Sequence, residues 1–263
     1  MDFGITGKVA LVAAASKGLG RAVAEELAAE GAHLMLCART DDTLQQTCAA
    51  IREATGARVL GVAADVSQPA DVARLVQAAL AEFGQVDILV TNAGGPPAGT
   101  FAQHDAAAWD AATRLLLTSV VELTRAVLPG MQARGWGRIL NITSIAVKQP
   151  IAGLLLSNSL RAAVTGMART LANEVAASGI TVNCILPGYT RTERVEHLAA
   201  AAATREGIPA GQATERWTSE IPMRRLGEPR EFAALAAFLC SERASYLTGT
   251  STAVDGGWLR GLF

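Results

Sequence analysis

The chain has 263 residues, half of them hydrophobic and 18% charged, with a formal net charge of −1. This balance excludes a basic field for nucleic acid or for an acidic membrane surface, and no apolar run is long enough to cross a bilayer. The length suits a single α/β domain spanning residues 1–263, and the scattered Cys37, Cys48, Cys184 and Cys240 lack the spacing of a disulfide framework or a metal site, so free thiols and a cytoplasmic location are expected.

The stretch Lys8 to Arg21 reads K-V-A-L-V-A-A-A-S-K-G-L-G-R. An apolar run of strand length, Val9 to Ala13, passes through small residues into Gly18 and Gly20 and then into a helix-forming segment that Gly31 ends. Small residues in such a turn let backbone N–H groups approach a phosphate at the positive end of the helix. His33 to Cys37 is a second strand, ending in Ala38-Arg39-Thr40. An NAD site usually places an acid near this point to hold the ribose 2′-hydroxyl. Here Ala38 takes that place, Arg39 follows it and Lys17 sits in the glycine turn, so two cations suit a 2′-phosphate and NADP(H) is expected rather than NAD(H).

Farther on, Asp41 to Thr55 is helical, Arg58 to Ala63 is a strand leading to Asp65-Val66, and Gln68 to Phe83 is helical again. Ile88 to Val90 is a fourth strand running into Thr91-Asn92-Ala93-Gly94-Gly95-Pro96-Pro97. Strands and helices alternate at a spacing that demands right-handed parallel crossovers, which predicts a doubly wound sheet. Trp109 to Arg134 and Ser157 to Ala176 are long helices, and a Pro229 to Cys240 helix and a Ser251 to Val254 strand complete the chain. Ala199 to Ala203 is a local run of alanines.

The ordered series of glycine turn, Asp65-Val66, Asn92-Ala93-Gly94, Gly137 to Ser144, Asn183 to Gly188, Leu247-Thr248-Gly249 and Val254 to Gly257 resembles the short-chain dehydrogenase/reductase superfamily, in the branch similar to 3-oxoacyl-carrier-protein reductases. The resemblance implies a single-domain Rossmann-type sheet of about seven strands with helices on both faces. It also implies a substrate lid over residues 190–226 and a homodimer or homotetramer. By the same resemblance Ala14, Ser16, Lys17, Gly18, Leu19 and Gly20 would cradle the cofactor. Asp65, with Val66 beside it, would bond the adenine amine, Asn92 would brace the central strands, and Ala93 and Gly94 would flank a ribose. The Pro187-Gly188 turn would lie against the nicotinamide, and Thr192 would meet its carboxamide or the diphosphate.

Several positions depart from that pattern. Ala14 stands where the family has its first glycine, and a left-handed backbone there would cost an alanine about 1–2 kcal/mol. The family's Ser, Tyr, Lys and Asn fall here on Ser144, Ser157, Arg161 and Leu116, so Ser144 alone matches. A phenol of ordinary pKa about 10 can be drawn toward neutrality by cations, whereas a serine hydroxyl cannot, and a guanidinium stays charged. Arg161 could still hold a ribose hydroxyl or fork onto a carboxylate. Tyr189, beside the nicotinamide turn, is the substitute proton donor or else packs the base of the lid. His33, His104 and His197 occupy no motif. Leu154 to Leu156 would form an apolar wall to a pocket or pack the core. The expected function is an NADP(H)-dependent oxidoreductase on a carbonyl or alcohol, the alternative a weakly active NADP(H) or metabolite-binding module, with a small molecule as the only other partner.

Overall fold

The computed structural model describes residues 2–262. Its strands are β1 (Val9–Val12), β2 (His33–Ala38), β3 (Val59–Ala63), β4 (Ile88–Thr91), β5 (Gly137–Ile142), β6 (Ile180–Pro187) and β7 (Ser251–Val254). They form one parallel sheet in the order β3-β2-β1-β4-β5-β6-β7, with Val12 beside Leu36 on one side and Val90 on the other. The order reverses between β1 and β4, and in open α/β sheets the crevice at that reversal, outside the carboxyl ends of the strands, is where ligands sit.

Along each strand alternate side chains serve opposite faces. Ala10, Val12, Leu34, Leu36, Ile88 and Val90 face helices α1 (Gly18–Ala29), α2 (Asp41–Thr55) and α9 (Pro229–Leu239). Leu11, Met35, Leu89, Ile139 and Val182 face α3 (Pro69–Phe83), α5 (Ser119–Arg134) and α6 (Leu155–Val175). This matches the doubly wound architecture expected from the alternation. The four cysteines are buried as free thiols, and among the described residues no helix is long and apolar enough to cross a membrane.

Two local differences bear on the site. The helix expected from Trp109 to Arg134 is α4 (Ala106–Thr113) and α5 joined by one π-helical turn, Arg114–Thr118. Helix α6 starts at Leu155, two positions ahead of Ser157, because Gly99 and Gly153 pin its approach through an N–H to carbonyl bond of 2.7 Å and a parallel bridge joins Gly99 to Leu154. The segment 190–226 leaves and rejoins the body at one point, where Thr190 and Gly227 form a parallel bridge. It carries α7 (Glu193–Glu206) and α8 (Ala210–Glu220), and the alanine run supplies Ala199, Ala202 and Ala203 to a small core of its own with Ala213, Ile208 and Trp217.

Candidate functional site

The glycine turn leaves β1 and enters α1 at the sheet's reversal. Helix α1 has no side-chain cap and no acid in its first turn, so its leading N–H groups stay open to an anion. Gly18 adopts a left-handed φ of 60° and lies under Thr192, whose methyl would sit 3.7 Å from a Cβ there. A Cβ on Gly20 would overlap the carbonyl oxygen of Ala14 and stand 2.9 Å from Nδ2 of Asn92. Ala14 itself is left-handed at φ 50°, so the cost foreseen for a Cβ there is present, about 1–2 kcal/mol. Asn92 donates to the Ala14 carbonyl at 3.4 Å, and the Thr47 hydroxyl donates to the Ser16 carbonyl at 2.9 Å. Leu19 packs partly buried against the α1 face of the core.

The two cations of the opening segment differ in their surroundings. Lys17 makes an ion pair with Glu193 at the start of α7, both side chains exposed, and that contact holds the Glu193 carboxyl below its ordinary range. Arg39 is exposed beyond the end of β2 and has no ion-pair partner among the described residues. At the end of β3, one Asp65 carboxylate oxygen accepts from the Ser67 N–H at 2.9 Å, its other oxygen meeting no donor among the described residues, and Val66 is buried beside it. Ala93 is partly buried and Gly94 exposed. Gly188 closes against β7, its N–H donating to the Val254 carbonyl at 2.9 Å. Thr192 caps α7, accepting from the Val195 N–H at 3.4 Å.

The structure brings Leu116 and Arg161 together. The π turn directs Leu116, 3% exposed, into a cavity of about 10 Å³ that it shares with Arg161, Thr91, Asn92 and Thr143. Such a space admits one water. Arg161 donates from Nη1 to the Ile142 carbonyl at 2.9 Å and from Nε to the Ser157 hydroxyl at 3.3 Å. Burial, and then the charge of Arg194, push its pKa down to about 10. The Ser144 hydroxyl accepts from the Ala146 N–H at 3.1 Å, which leaves its proton free for an outside acceptor. Leu156 is fully buried with Ala112, Leu116 and Leu160, so that leucine of the expected wall packs core.

Tyr189 belongs elsewhere. Its ring stacks on Trp217 at 4.6 Å and meets Trp258 edge-on at 6.0 Å. Burial, with help from the Glu220 charge, pushes the phenol up to about 12. It lines a second cavity of about 300 Å³ toward β7 and α9, whose lining shares no residue with the Arg161 cavity. Of the histidines, His33 stacks on Phe83, His104 lies beside Gly99 and His197 is exposed on α7.

Sequence reasoning missed two groups. Thr91, Asn141 and Asn183 form a buried chain across neighbouring strands, Thr91 donating to Asn141 at 2.7 Å and Asn141 to the Asn183 carbonyl at 3.5 Å. Arg194 crosses from α7 to donate to the Pro96 carbonyl at 3.1 Å, lying where a Cβ on Gly95 would collide with its guanidinium. Its place two residues after Thr192 was the available signal.

An uncapped glycine-turn helix at the switch point of a seven-stranded parallel sheet, with Asn92 bracing it and Ser144 at the end of the next strand, defines the Rossmann class of oxidoreductase folds. The family described as enoyl-(acyl carrier protein) reductase matches residues 13–259. The chain is 36% identical to dehydrogenase/reductase SDR family member 4 of Oryctolagus cuniculus, over 96% of this chain and 94% of that one. It is also 36% identical to the 3-oxoacyl-[acyl-carrier-protein] reductase FabG of Vibrio cholerae, over 96% and 98%. The structure of L-sorbose reductase from Gluconobacter frateurii, complexed with NADPH and L-sorbose, superposes with a TM-score of 0.94 at 39% identity over the full length of both chains. The chain belongs to the short-chain dehydrogenase/reductase family.

Proposed function

We propose that this chain is an NADP(H)-dependent oxidoreductase that acts on a carbonyl or alcohol and turns over slowly. The observation that carries the reading is the cradle. The uncapped α1 terminus, with left-handed Gly18 and close-set Gly20, presents open backbone N–H groups to a diphosphate. Asp65 keeps a carboxylate oxygen for an adenine amine. Arg39, with no carboxylate partner among the described residues, suits a 2′-phosphate. The NADPH held by the similar L-sorbose reductase supports the choice of cofactor.

When bound, the nicotinamide supplies or accepts the hydride. Ser144, its hydroxyl already accepting from Ala146, donates its proton toward the substrate carbonyl oxygen and polarises it. The Ser157 hydroxyl is held by Arg161 Nε and titrates too high to act as an acid, and Arg161 stays charged at neutral pH. Losing general acid help costs about 100- to 10,000-fold, which sets the slow turnover. The replacements at Leu116, Ser157 and Arg161 equally favour a second reading, in which the cradle binds NADP(H) or a metabolite with little turnover.

Fluorescence titration of the whole protein tests the cofactor reading. NADPH is expected to bind more tightly than NADH, and Arg39→Ala to weaken NADPH by about 10- to 100-fold, the worth of a charge-assisted contact, with NADH unchanged. Tighter binding of NADH by the wild type overturns it. A carbonyl panel with NADPH then separates the two readings, since inactivity across all members leaves the binding module. Within that assay Tyr189→Phe is expected to leave turnover unchanged, because the ring stacks on Trp217 and lines a cavity that shares no residue with that of Arg161; a marked loss would make Tyr189 the proton donor. The reading places the protein in the cytoplasm, supported by its four buried free thiols, with no nucleic-acid or membrane partner. It also makes the protein a homodimer or homotetramer, in which a partner would cover surface apolar side chains such as the fully exposed Tyr246.

A further inference from the structure

Four contacts pin the glycine turn, each at one peptide group. The Ala13 N–H donates to the Val90 carbonyl of β4 at 3.0 Å and the Ala15 N–H to the Cys37 carbonyl of β2 at 2.9 Å. The Ala14 carbonyl accepts from Asn92 at 3.4 Å. The last pin comes from α2, where the Thr47 hydroxyl donates to the Ser16 carbonyl at 2.9 Å. Immediately beyond it, the N–H groups of Lys17, Gly18 and Leu19 meet no acceptor among the described residues.

Thr47 is 2% exposed in the interior of α2, where a threonine hydroxyl commonly returns to the carbonyl four residues back. It does so here, 3.0 Å from the Thr43 carbonyl. A hydroxyl has one proton to give, and Thr47 shares it with the Ser16 carbonyl, 31 residues away in the chain. That carbonyl accepts from no other donor among the described residues. Helix α2 is a fixed base for the contact. Leu44, Cys48 and Ile51 are buried in the core, the Gln45 side chain donates to the Gly61 carbonyl at 3.1 Å, and a Cβ on Gly61 would overlap Cys48 Sγ and Leu44. In a planar trans peptide the C=O and N–H point opposite ways. Drawing the Ser16 carbonyl toward α2 therefore turns the Lys17 N–H away from α2, leaving it open with those of Gly18 and Leu19. The same contact ties the turn that carries Lys17 to the limb that carries Arg39, two residues ahead of α2.

We propose that Thr47 is a positioning residue for the cofactor, acting through the Ser16–Lys17 peptide to aim the Lys17 N–H at a phosphate group. This rests on the cofactor reading above. Without the hydroxyl the Ser16 carbonyl loses its partner and is free to turn, and the Lys17 N–H turns with it. NADPH offers that N–H two sources of phosphate, the diphosphate and the 2′-phosphate, and the test separates them.

Thr47→Val keeps the shape of the side chain and removes the hydroxyl. In fluorescence titration of the whole protein it is expected to weaken NADPH by about 5- to 20-fold, the effect of leaving one buried acceptor unpaired. Thr47→Ser, which keeps the hydroxyl, is expected to stay within about twofold of wild type. Calorimetry with two fragments then reads the phosphate. ADP-ribose carries only the diphosphate and adenosine 2′-monophosphate only the 2′-phosphate. Thr47→Val is expected to weaken one and leave the other within about twofold, and the one that falls names the group the Lys17 N–H meets. Equal loss of both fragments would mean a site loosened as a whole and overturns the proposal. So does Thr47→Val binding NADPH as wild type does, or Thr47→Ser losing as much as Thr47→Val. Should Thr47→Val fail a circular dichroism check of folding, amide hydrogen exchange at Lys17 of the wild type decides, read by NMR. It is expected to slow when NADPH is added, and unchanged exchange with NADPH bound overturns the proposal. A wild type that binds neither NADPH nor NADH overturns the cofactor reading and this proposal with it, whereas normal wild-type binding with an indifferent Thr47→Val overturns the proposal alone.

Discussion

Ser157→Tyr combined with Arg161→Lys is expected to raise NADPH-dependent reduction of neutral carbonyls by about 100- to 10,000-fold, the usual worth of a positioned general acid. Positions 157 and 161 lie one turn apart on α6 and already touch, Nε to Oγ at 3.3 Å, as i and i+4 neighbours do. A phenol at 157 would therefore stand beside a lysine ammonium at 161, and that charge draws its pKa down from about 10. Arg161 spends its Nη1 on the Ile142 carbonyl; a lysine with one compact charge is free to face the phenol. Leu116 stays in place, so no polar side chain at that position relays the proton, and the lower part of the range is expected. Each single substitution should give much less, because the acid and its cation act as a unit. The check is kcat across a panel, with folding confirmed by circular dichroism. A well-folded double variant no faster than wild type would mean that more than the proton donor is missing, and the binding-module reading would follow.

Gly20→Ala is the second large effect. It is expected to abolish measurable NADPH binding and to cost about 1–3 kcal/mol of stability, the range for forcing a methyl into a packed site. At about 2–4 °C of Tm per kcal/mol for a chain of this size, the loss is visible in a thermal melt. The new Cβ overlaps the Ala14 carbonyl, and Ala14 has nowhere to retreat. It is already left-handed at φ 50°, its carbonyl accepts from Asn92, and the flanking Ala13 and Ala15 N–H groups donate to Val90 at 3.0 Å and Cys37 at 2.9 Å. Gly166→Ala is the matched control, because nothing lies within 4 Å of a Cβ there and the residue sits on α6 outside the cradle. Gly20→Ala binding NADPH as well as wild type would show that the turn is no cradle.

The sheet was legible because apolar runs of strand length alternate with amphipathic helices, and the fold adds little to that pattern beyond register. The glycine turn was legible for the same reason, since Gly18 and Gly20 follow directly from where β1 ends, whereas the bracing role of Asn92 came from the family resemblance. What stayed hidden depends on contacts between distant segments. The Lys17 to Glu193 pair joins the glycine turn to α7, and no local signal in either segment announces the other. Arg194 sits in Glu193-Arg194-Val195-Glu196, which reads as a solvated helix start, and only the fold shows its guanidinium partly buried against Gly95. The π turn at Leu116 widens a helix without disturbing its apolar spacing, so periodicity passes over it. Tyr189 read in sequence as either a substitute proton donor or packing for the base of the lid, and its stacking on Trp217 depends on α8, which no neighbour in sequence announces.

Helix α9 packs against α1, setting Phe232, Ala233 and Ala236 in one core with Val23, Ala24 and Leu27. Among the described helices, the first to leave the ribosome thus waits for the last. Until Leu239 has been synthesised, the apolar flank of α1 has no cover, and the strand that feeds the glycine turn sits in the middle of a sheet whose far edge is still unmade. Parallel pairings of such long range form slowly, and chains caught before they close expose apolar surface. A nascent chain therefore carries the whole N-terminal motif without the support that holds it in shape. Chains cut short before Pro229 should be cleared or aggregate as unfolded protein, never persisting as free-standing nucleotide binders.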